Sequence, residues 1–283
     1  MKSSDRRLFL KNSGLLLGSL LISRIGVAQP LSRTARFNLS LNLAQVNFFF
    51  TGNLNRRQHL ESIVAPLLRN MSGIYLDTGN FTEHSQANTR YRVSQMNALG
   101  YQVAALGKHE VDMGEENLLK LAKSCDFALV NSLTAWRNSE LTNWIKPFQL
   151  VEIGGRCVGV LAIGPACPSK QDMDKLTRLA KQLKKEEQCD MIICLVPEGL
   201  KKEELLELVR ESGDVDLFCC AATDARAGVC QILKNGDNAE TTLIYGGEEA
   251  IELGHYAANM SASEYVLPNR MACHPPKAAT SWS

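Results

Sequence analysis

Apolar positions along this chain fall into short runs, and the stretches between them place apolar residues at helical spacing. Val46–Phe50 is an apolar-rich run of strand length, and Arg57–Asn70 sets Leu60, Ile63, Val64, Leu67 and Leu68 on one helical face. Gly73–Leu76, Val103–Leu106 and Phe127–Val130 read as strands, with helices over Tyr91–Leu99 and Glu115–Ser124 between them. Phe148–Ile153 and Cys157–Ile163 flank Gly154-Gly155, the pattern of a hairpin closed by a glycine turn.

The second half continues the alternation. Lys170–Glu187 predicts a long charged helix, Met191–Val196 a buried strand, Leu200–Glu211 a helix and Leu217–Cys220 a strand. Val229–Leu233 and Thr241–Tyr245 read as strands across the turn Asn235-Gly236-Asp237, and Glu252–Ala258 as another. Alternating strands and helices predict an α/β domain, and the added hairpins predict a four-layer α/β/β/α sandwich in a single domain over residues 44–260. Residues 29–43 and 261–283, which include stretches rich in Pro, Ser, Thr and Lys, read as loose ends.

The chain begins differently. Arg6-Arg7-Leu8-Phe9-Leu10-Lys11 is followed by an apolar stretch from Gly14 to Ile22 and by small residues ending at Ala28. A basic start, a short apolar run and small residues before a cleavage point make an export signal over residues 1–28. The run is shorter than the ~20 residues of a spanning helix. The paired arginines resemble the twin-arginine consensus, which directs export and does not anchor. The expected location is periplasmic or otherwise exported, with no stable membrane span after cleavage. Removing the signal leaves 26 basic against 29 acidic side chains. That balance argues against nucleic acid and against an anionic membrane as partner.

All nine cysteines follow the signal, and none forms a C-x-x-C pair. A zinc ribbon and a thioredoxin-type motif are therefore excluded. Cys157 and Cys194 lie in apolar runs and read as small core residues. His59, His84, His255 and His274 have no partner at ligand spacing.

Four stretches carry a resemblance. Met96–Gly114 contains Gly107-Lys108-His109-Glu110-Val111-Asp112-Met113-Gly114 after a helix and a strand, and Tyr75–Asn80 ends a strand in Gly79-Asn80. Asp126–Asn131 with Phe148–Gly164, and then Thr241–Gly254, complete the order. Together they resemble the calcineurin-like metallophosphoesterases, in particular the catalytic domain of the periplasmic 5′-nucleotidase family. The resemblance covers about residues 44–258 and implies that family's sandwich without its separate C-terminal substrate-binding domain.

The resemblance also implies a pair of divalent metal ions that polarise phosphate and supply a hydroxide nucleophile. Such ions need carboxylate, imidazole and amide ligands at strand ends. Here the D-x-H motif falls on Asn53-Leu54-Asn55, and Asn80 stands where the metal-bridging Asp belongs. Lys108 replaces a ligand Asn, Pro197 or a neighbour replaces a ligand His, and G-H-x-H falls on Ala221-Ala222-Thr223-Asp224. Of the substitutions at the former ligand positions, which include Ala222, only Asp224 keeps strong affinity for metal. An ammonium at a cation's place repels it by ~4 kcal/mol per unit charge at ~4 Å and an effective dielectric of ~20. No cofactor is expected, and loss of di-metal phosphoester hydrolysis is.

His109 and Asp112 match the family pair in which the imidazole stabilises the phosphoryl transition state and the carboxylate orients the ring. Two readings stand for them. They either tie the loop together or join Lys108 and the helix start near Gly114 in binding a small anionic ligand or a protein partner. Cys219, Cys220 and Cys167 follow or end strands and supply a second functional reading: a thiol site near His109, with lowered thiol pKa, for redox chemistry or a soft metal. An atypical phosphoesterase with rewired ligands is the third.

Overall fold

A computed structural model of the chain describes residues 46–56, 73–83, 85–221, 230–246 and the strand 254–258. The export signal, the two loose ends and the helix expected over Arg57–Asn70 lie outside the described residues.

The strands are β1 (Val46–Thr51), β2 (Ile74–Asp77), β3 (Val103–Ala105), β4 (Ala128–Val130), β5 (Ile145–Lys146), β6 (Gln149–Ile153), β7 (Arg156–Ala162), β8 (Met191–Val196), β9 (Leu217–Cys220), β10 (Cys230–Lys234), β11 (Glu240–Tyr245) and β12 (Gly254–Ala258). The helices are α1 (Gln86–Leu99), α2 (Lys108–Asp112), α3 (Glu115–Ala122), α4 (Leu141–Trp144), α5 (Lys170–Lys185) and α6 (Lys202–Glu211). A 3-10 turn covers Leu54–Arg56.

Two six-stranded sheets result, in the orders β12-β1-β2-β3-β4-β5 and β10-β11-β9-β8-β7-β6. Within the first, β1 to β5 run parallel and β12 antiparallel to β1. The second has β7, β8, β9 and β11 parallel, with β6 and β10 antiparallel at its edges.

Period-two alternation sorts each strand's side chains into two cores. Phe48, Phe50, Leu76, Val103 and Val130 of the first sheet meet Val151, Val160, Ile193, Leu217 and Ile244 of the second, forming the central layer. The opposite face of the second sheet, with Leu161, Cys194 and Phe218, packs on Leu176, Ala180 and Leu183 of α5 and Leu205, Leu208 and Val209 of α6. The first sheet's outer face, with Phe49, Ala104 and Leu129, packs on Val93 and Met96 of α1 and Leu118 and Leu121 of α3. The order is helix, sheet, sheet, helix, as the alternation predicts.

Element ends follow local chemistry. Ser169 caps α5: Asp172 N donates to its Oγ at 3.3 Å, and the Asp172 carboxylate accepts from Ser169 N at 2.9 Å. Helix α1 stops at Gly100, which adopts φ +76° and lets Tyr101 N reach Met96 O at 3.2 Å. It starts at Gln86, where Ser85 caps it, ahead of the predicted Tyr91; the exposed first turn carries no apolar period to mark it in the sequence. The short α2, α4 and β5 have no periodic signal of their own and are not foreseen.

Candidate functional site at the carboxyl ends of the strands

The loops that leave the carboxyl ends of β1, β2 and β3 converge and bond to one another. After β1 the chain turns at Asn53, and after β2 at Asn80, with φ +56° and +59°. Asparagine enters this left-handed region more readily than most residues, so its presence suits both turns. Asn53 N donates to Gly79 O at 3.0 Å, and Asn55 N to Asn80 O at 2.9 Å. Gly79 has φ +103°, and a Cβ there would lie 2.5 Å from Gly107 N, so the loops after β2 and β3 touch backbone to backbone.

Side chains complete the junction. Asn80 Nδ2 donates to Asn53 Oδ1 at 3.0 Å, and Asn80 Oδ1 accepts from His109 N at 3.1 Å. Asn55 Nδ2 lies 2.9 Å from His109 Nε2. Asn53, Asn55, Asn80 and His109, singled out in the sequence, are thus brought together as a chain of direct hydrogen bonds.

Beneath them sits Glu110, wholly buried. Its carboxylate accepts from Asn80 N at 2.9 Å and Gly107 N at 2.8 Å through one oxygen. The other oxygen accepts from Thr82 N at 2.8 Å and Thr82 Oγ1 at 2.7 Å. A buried carboxyl needs this degree of satisfaction. The motif reading of the sequence gives Glu110 no role; its position three residues after Gly107, a capping-box spacing, is the signal that marks it.

Asp77 closes the floor. Its carboxyl takes bonds from Thr51 Oγ1 at 2.6 Å and Gly79 N at 2.7 Å, and Thr51 Oγ1 lies 2.9 Å from Tyr101 Oη. Full burial pushes the Asp77 carboxyl up to about 8, against the opposing pull of the Thr51 and Gly79 bonds.

Lys108 and Asp112 lie elsewhere than expected. Lys108 Nζ reaches Asp112 Oδ2 at 2.7 Å, one helical turn away, and their side chains are 70% and 58% exposed. The ammonium faces solvent and a carboxylate, which corrects the expectation that it fills a cation's place. Among the described residues Asp112 makes no bond to His109, so the carboxylate does not orient that ring. The pair's geometry follows from α2, where positions i and i+4 share a face.

The thiols are also displaced from the rim. Cys219 points into the central layer and Cys220 into the α5–α6 layer, because consecutive strand residues face opposite ways. Both are buried, and burial pushes both thiols well above the ordinary range. Cys167 is exposed on the loop between β7 and α5, and its thiol is also raised, by partial desolvation and then by Glu204 and Glu207. Among the described residues none of the three bonds to His109. This corrects the expectation of a thiol site near His109, offered by Cys167, Cys219 and Cys220, with lowered thiol pKa. Pro197, after β8, is buried and brings no side-chain donor. Ala222 and Asp224 lie outside the described residues.

No model of a known protein family matches the sequence, and no curated protein matches it. Solved structures do. The chain is similar to the NAD nucleotidase NadN of Haemophilus influenzae, with TM-score 0.60 and 15% identity over 75% of this chain and 47% of that one. It is similar to a 5′-nucleotidase precursor from Thermus thermophilus, with TM-score 0.55 and 17% identity over 75% and 54%. A putative 5′-nucleotidase from Staphylococcus aureus gives 0.54 and 14%, over 75% and 50%. The chain has the fold of the 5′-nucleotidase-like metallophosphoesterases. It spans about half the length of those nucleotidases.

The pair of divalent metal ions that the sequence resemblance implies does not fit the described residues. Amide oxygens can ligate metal but bring no charge, and Asn53 and Asn80 are already committed to each other and to His109. Among the described residues no group of three or more His, Cys, Asp or Glu side chains is placed to hold a metal ion. No helix among them is long and apolar enough to cross a membrane.

Proposed function

We propose that this metallophosphoesterase-fold protein does not hydrolyse phosphoesters through a di-metal centre and instead binds a small anionic ligand at the loop rim. The observation that carries the reading is the bond between Asn80 and Asn53 at 3.0 Å. Two positions that would hold metal are neutral and hydrogen-bonded to each other. Opening that bond for a cation would expose unpaired amides and gain no opposite charge.

The positive charge in this reading comes from Lys108, next to His109 in the sequence and paired with exposed Asp112. Its bond to Asp112 joins two exposed side chains and is worth at most about 1 kcal/mol, so an incoming anion can displace the carboxylate. Export by the twin-arginine route completes the reading and rests on Arg6, Arg7 and the apolar stretch after them.

Metal analysis of the purified chain, with assay of a generic phosphate ester in Mn²⁺, tests the first part. The expected result is well under one metal per chain and no turnover above the protein-free rate; two metals with turnover would overturn it. Calorimetric titration with inorganic phosphate and a nucleoside monophosphate tests the second. Binding to the wild-type chain that weakens at least several-fold in Lys108→Ala is expected, and equal binding by both would sink the assignment of the rim. Amino-terminal sequencing of exported protein is expected to begin after Ala28.

A further inference from the structure

The strands' amino-terminal ends, opposite the rim, carry a second arrangement of reactive side chains. Cys157, near the start of β7, and Cys189, just before β8, bring their sulfurs to 3.4 Å while both remain thiols. The backbone fixes this approach: Asp190 N donates to Cys157 O at 2.8 Å, and Cys157 N donates to Asp190 Oδ2 at 3.0 Å. Arg156 Nη1 holds the same Asp190 carboxylate at 2.9 Å. Gly159, two residues along the same face of β7, leaves space that Ile192, Leu183 and Cys189 share; a Cβ there would lie 2.9, 3.0 and 3.2 Å from Ile192 Cδ1, Leu183 Cδ1 and Cys189 Sγ. Cys189 N is pinned in turn to Leu183 O at the end of α5, at 3.0 Å.

We infer that Cys157 and Cys189 are a redox-active dithiol, converted to an intramolecular disulfide by exchange with a low-molecular-weight or protein disulfide. The two thiols are unequal. Cys189 is buried, whereas Cys157 is half-buried and reachable from solvent. The hydrogen bond shared with Cys189 lowers the Cys157 thiol, against burial and the carboxylates of Asp190, Glu152 and Glu187. Its greater exposure makes Cys157 the attacking sulfur and buried Cys189 the resolving one.

In the first step the Cys157 thiolate attacks one sulfur of the incoming disulfide. A mixed disulfide forms and one thiolate leaves, taking up the proton Cys157 gave to solvent. Cys189 then loses its proton and attacks Cys157 Sγ, breaking the mixed bond and releasing the second thiolate. Two protein thiols are oxidised and one disulfide is reduced to two thiols. The product would bridge β7 to the segment entering β8, which are already neighbours in the sheet.

The test uses the full chain, reduced, freed of reductant and exposed to oxidised glutathione. Acid quenching, alkylation of remaining thiols and peptide mapping follow. A linked pair of peptides containing Cys157 and Cys189 is expected, with two fewer alkylated thiols than in the reduced chain, reversed by dithiothreitol. The preference for this pair is expected to vanish when oxidation is done in urea. Cys189→Ser is expected to accumulate a glutathione adduct on Cys157, and Cys157→Ser to leave Cys189 unmodified. Recovery of both cysteines as separate alkylated peptides from oxidised native wild-type protein would overturn the inference. So would linkage of Cys157 to another cysteine, or a wild-type glutathione adduct that stops at Cys157. The wild-type map decides the matter even where a variant fails to fold.

Discussion

Asn80 donates its side-chain amide to the side-chain carbonyl of Asn53 at 3.0 Å, joining the turns after two neighbouring strands. The same carboxamide accepts from His109 N, so one side chain ties together the loops after β1, β2 and β3. Polar groups gathered at the mouth of this sandwich serve one another here. That network, and the buried carboxyls under it, set how the protein responds to substitution and to pH.

Asn80→Asp keeps the size of the side chain and its tolerance of the left-handed turn, but it removes the donor to Asn53. An ionised oxygen would then face Asn53 Oδ1. The cost expected at neutral pH is about 1–3 kcal/mol, read from the urea midpoint. Acidification toward pH 4 should recover part of it, as the new carboxyl regains a proton to donate.

Glu110→Gln replaces an oxygen that accepts two hydrogen bonds with an amide nitrogen that donates. Each oxygen of Glu110 takes two donors, so no orientation of the amide satisfies the site. A loss of roughly 3 kcal/mol or more in unfolding free energy is expected. Asp112→Asn, on an exposed pair, should cost under about 1 kcal/mol and serves as the comparison.

Asp77 sets a pH dependence. Burial raises its folded carboxyl to about 8, above the ~3.9 of the unfolded chain. Between these values the folded state holds a proton that the unfolded state has lost, so stability falls as pH rises, by at most ~1.4 kcal/mol per unit from this group. The fall ends near the folded value. Asp77→Asn is expected to flatten this part of the profile, measured by denaturant unfolding from pH 5 to pH 9; an unchanged slope would count against the assignment.

Thiol accessibility should divide by layer. Cys167 is expected to react with a maleimide in the native protein, whereas Cys194, Cys219 and Cys220 should label only on unfolding, being buried with raised thiols. Site-resolved mass spectrometry after brief labelling reads this directly. Native labelling of Cys220 at the rate of Cys167 would contradict the packing described.

Much of the architecture is legible in the sequence because it rests on periodicity. The buried runs Met191–Val196 and Leu217–Cys220 and the glycine turn between β6 and β7 each carry a local signal strong enough to place the element. Helix α2 carries none: its residues Lys108–Asp112 are recognisable as a motif but not as a helix. The identity of the residues at the ligand positions is likewise legible, since a carboxylate's absence is a fact of sequence.

What those residues do instead was decided by tertiary structure. Whether Lys108 points toward His109's neighbours or toward Asp112 depends on the short helix that puts positions four apart on one face. The fate of Cys219 and Cys220 depends on two packed layers, one on each side of β9, which bury consecutive thiols in opposite directions. Glu110 becomes the knot of two loops, those after β2 and β3, only because the backbones at Gly79 and Gly107 come into contact. Sequence by itself determined the order of the longer strands and helices and the residue types at the expected ligand positions, because periodicity and residue chemistry are local. Which polar groups meet, and which are left to solvent, required the folded chain, because hydrogen bonds form between atoms that only the packing of distant segments brings within reach.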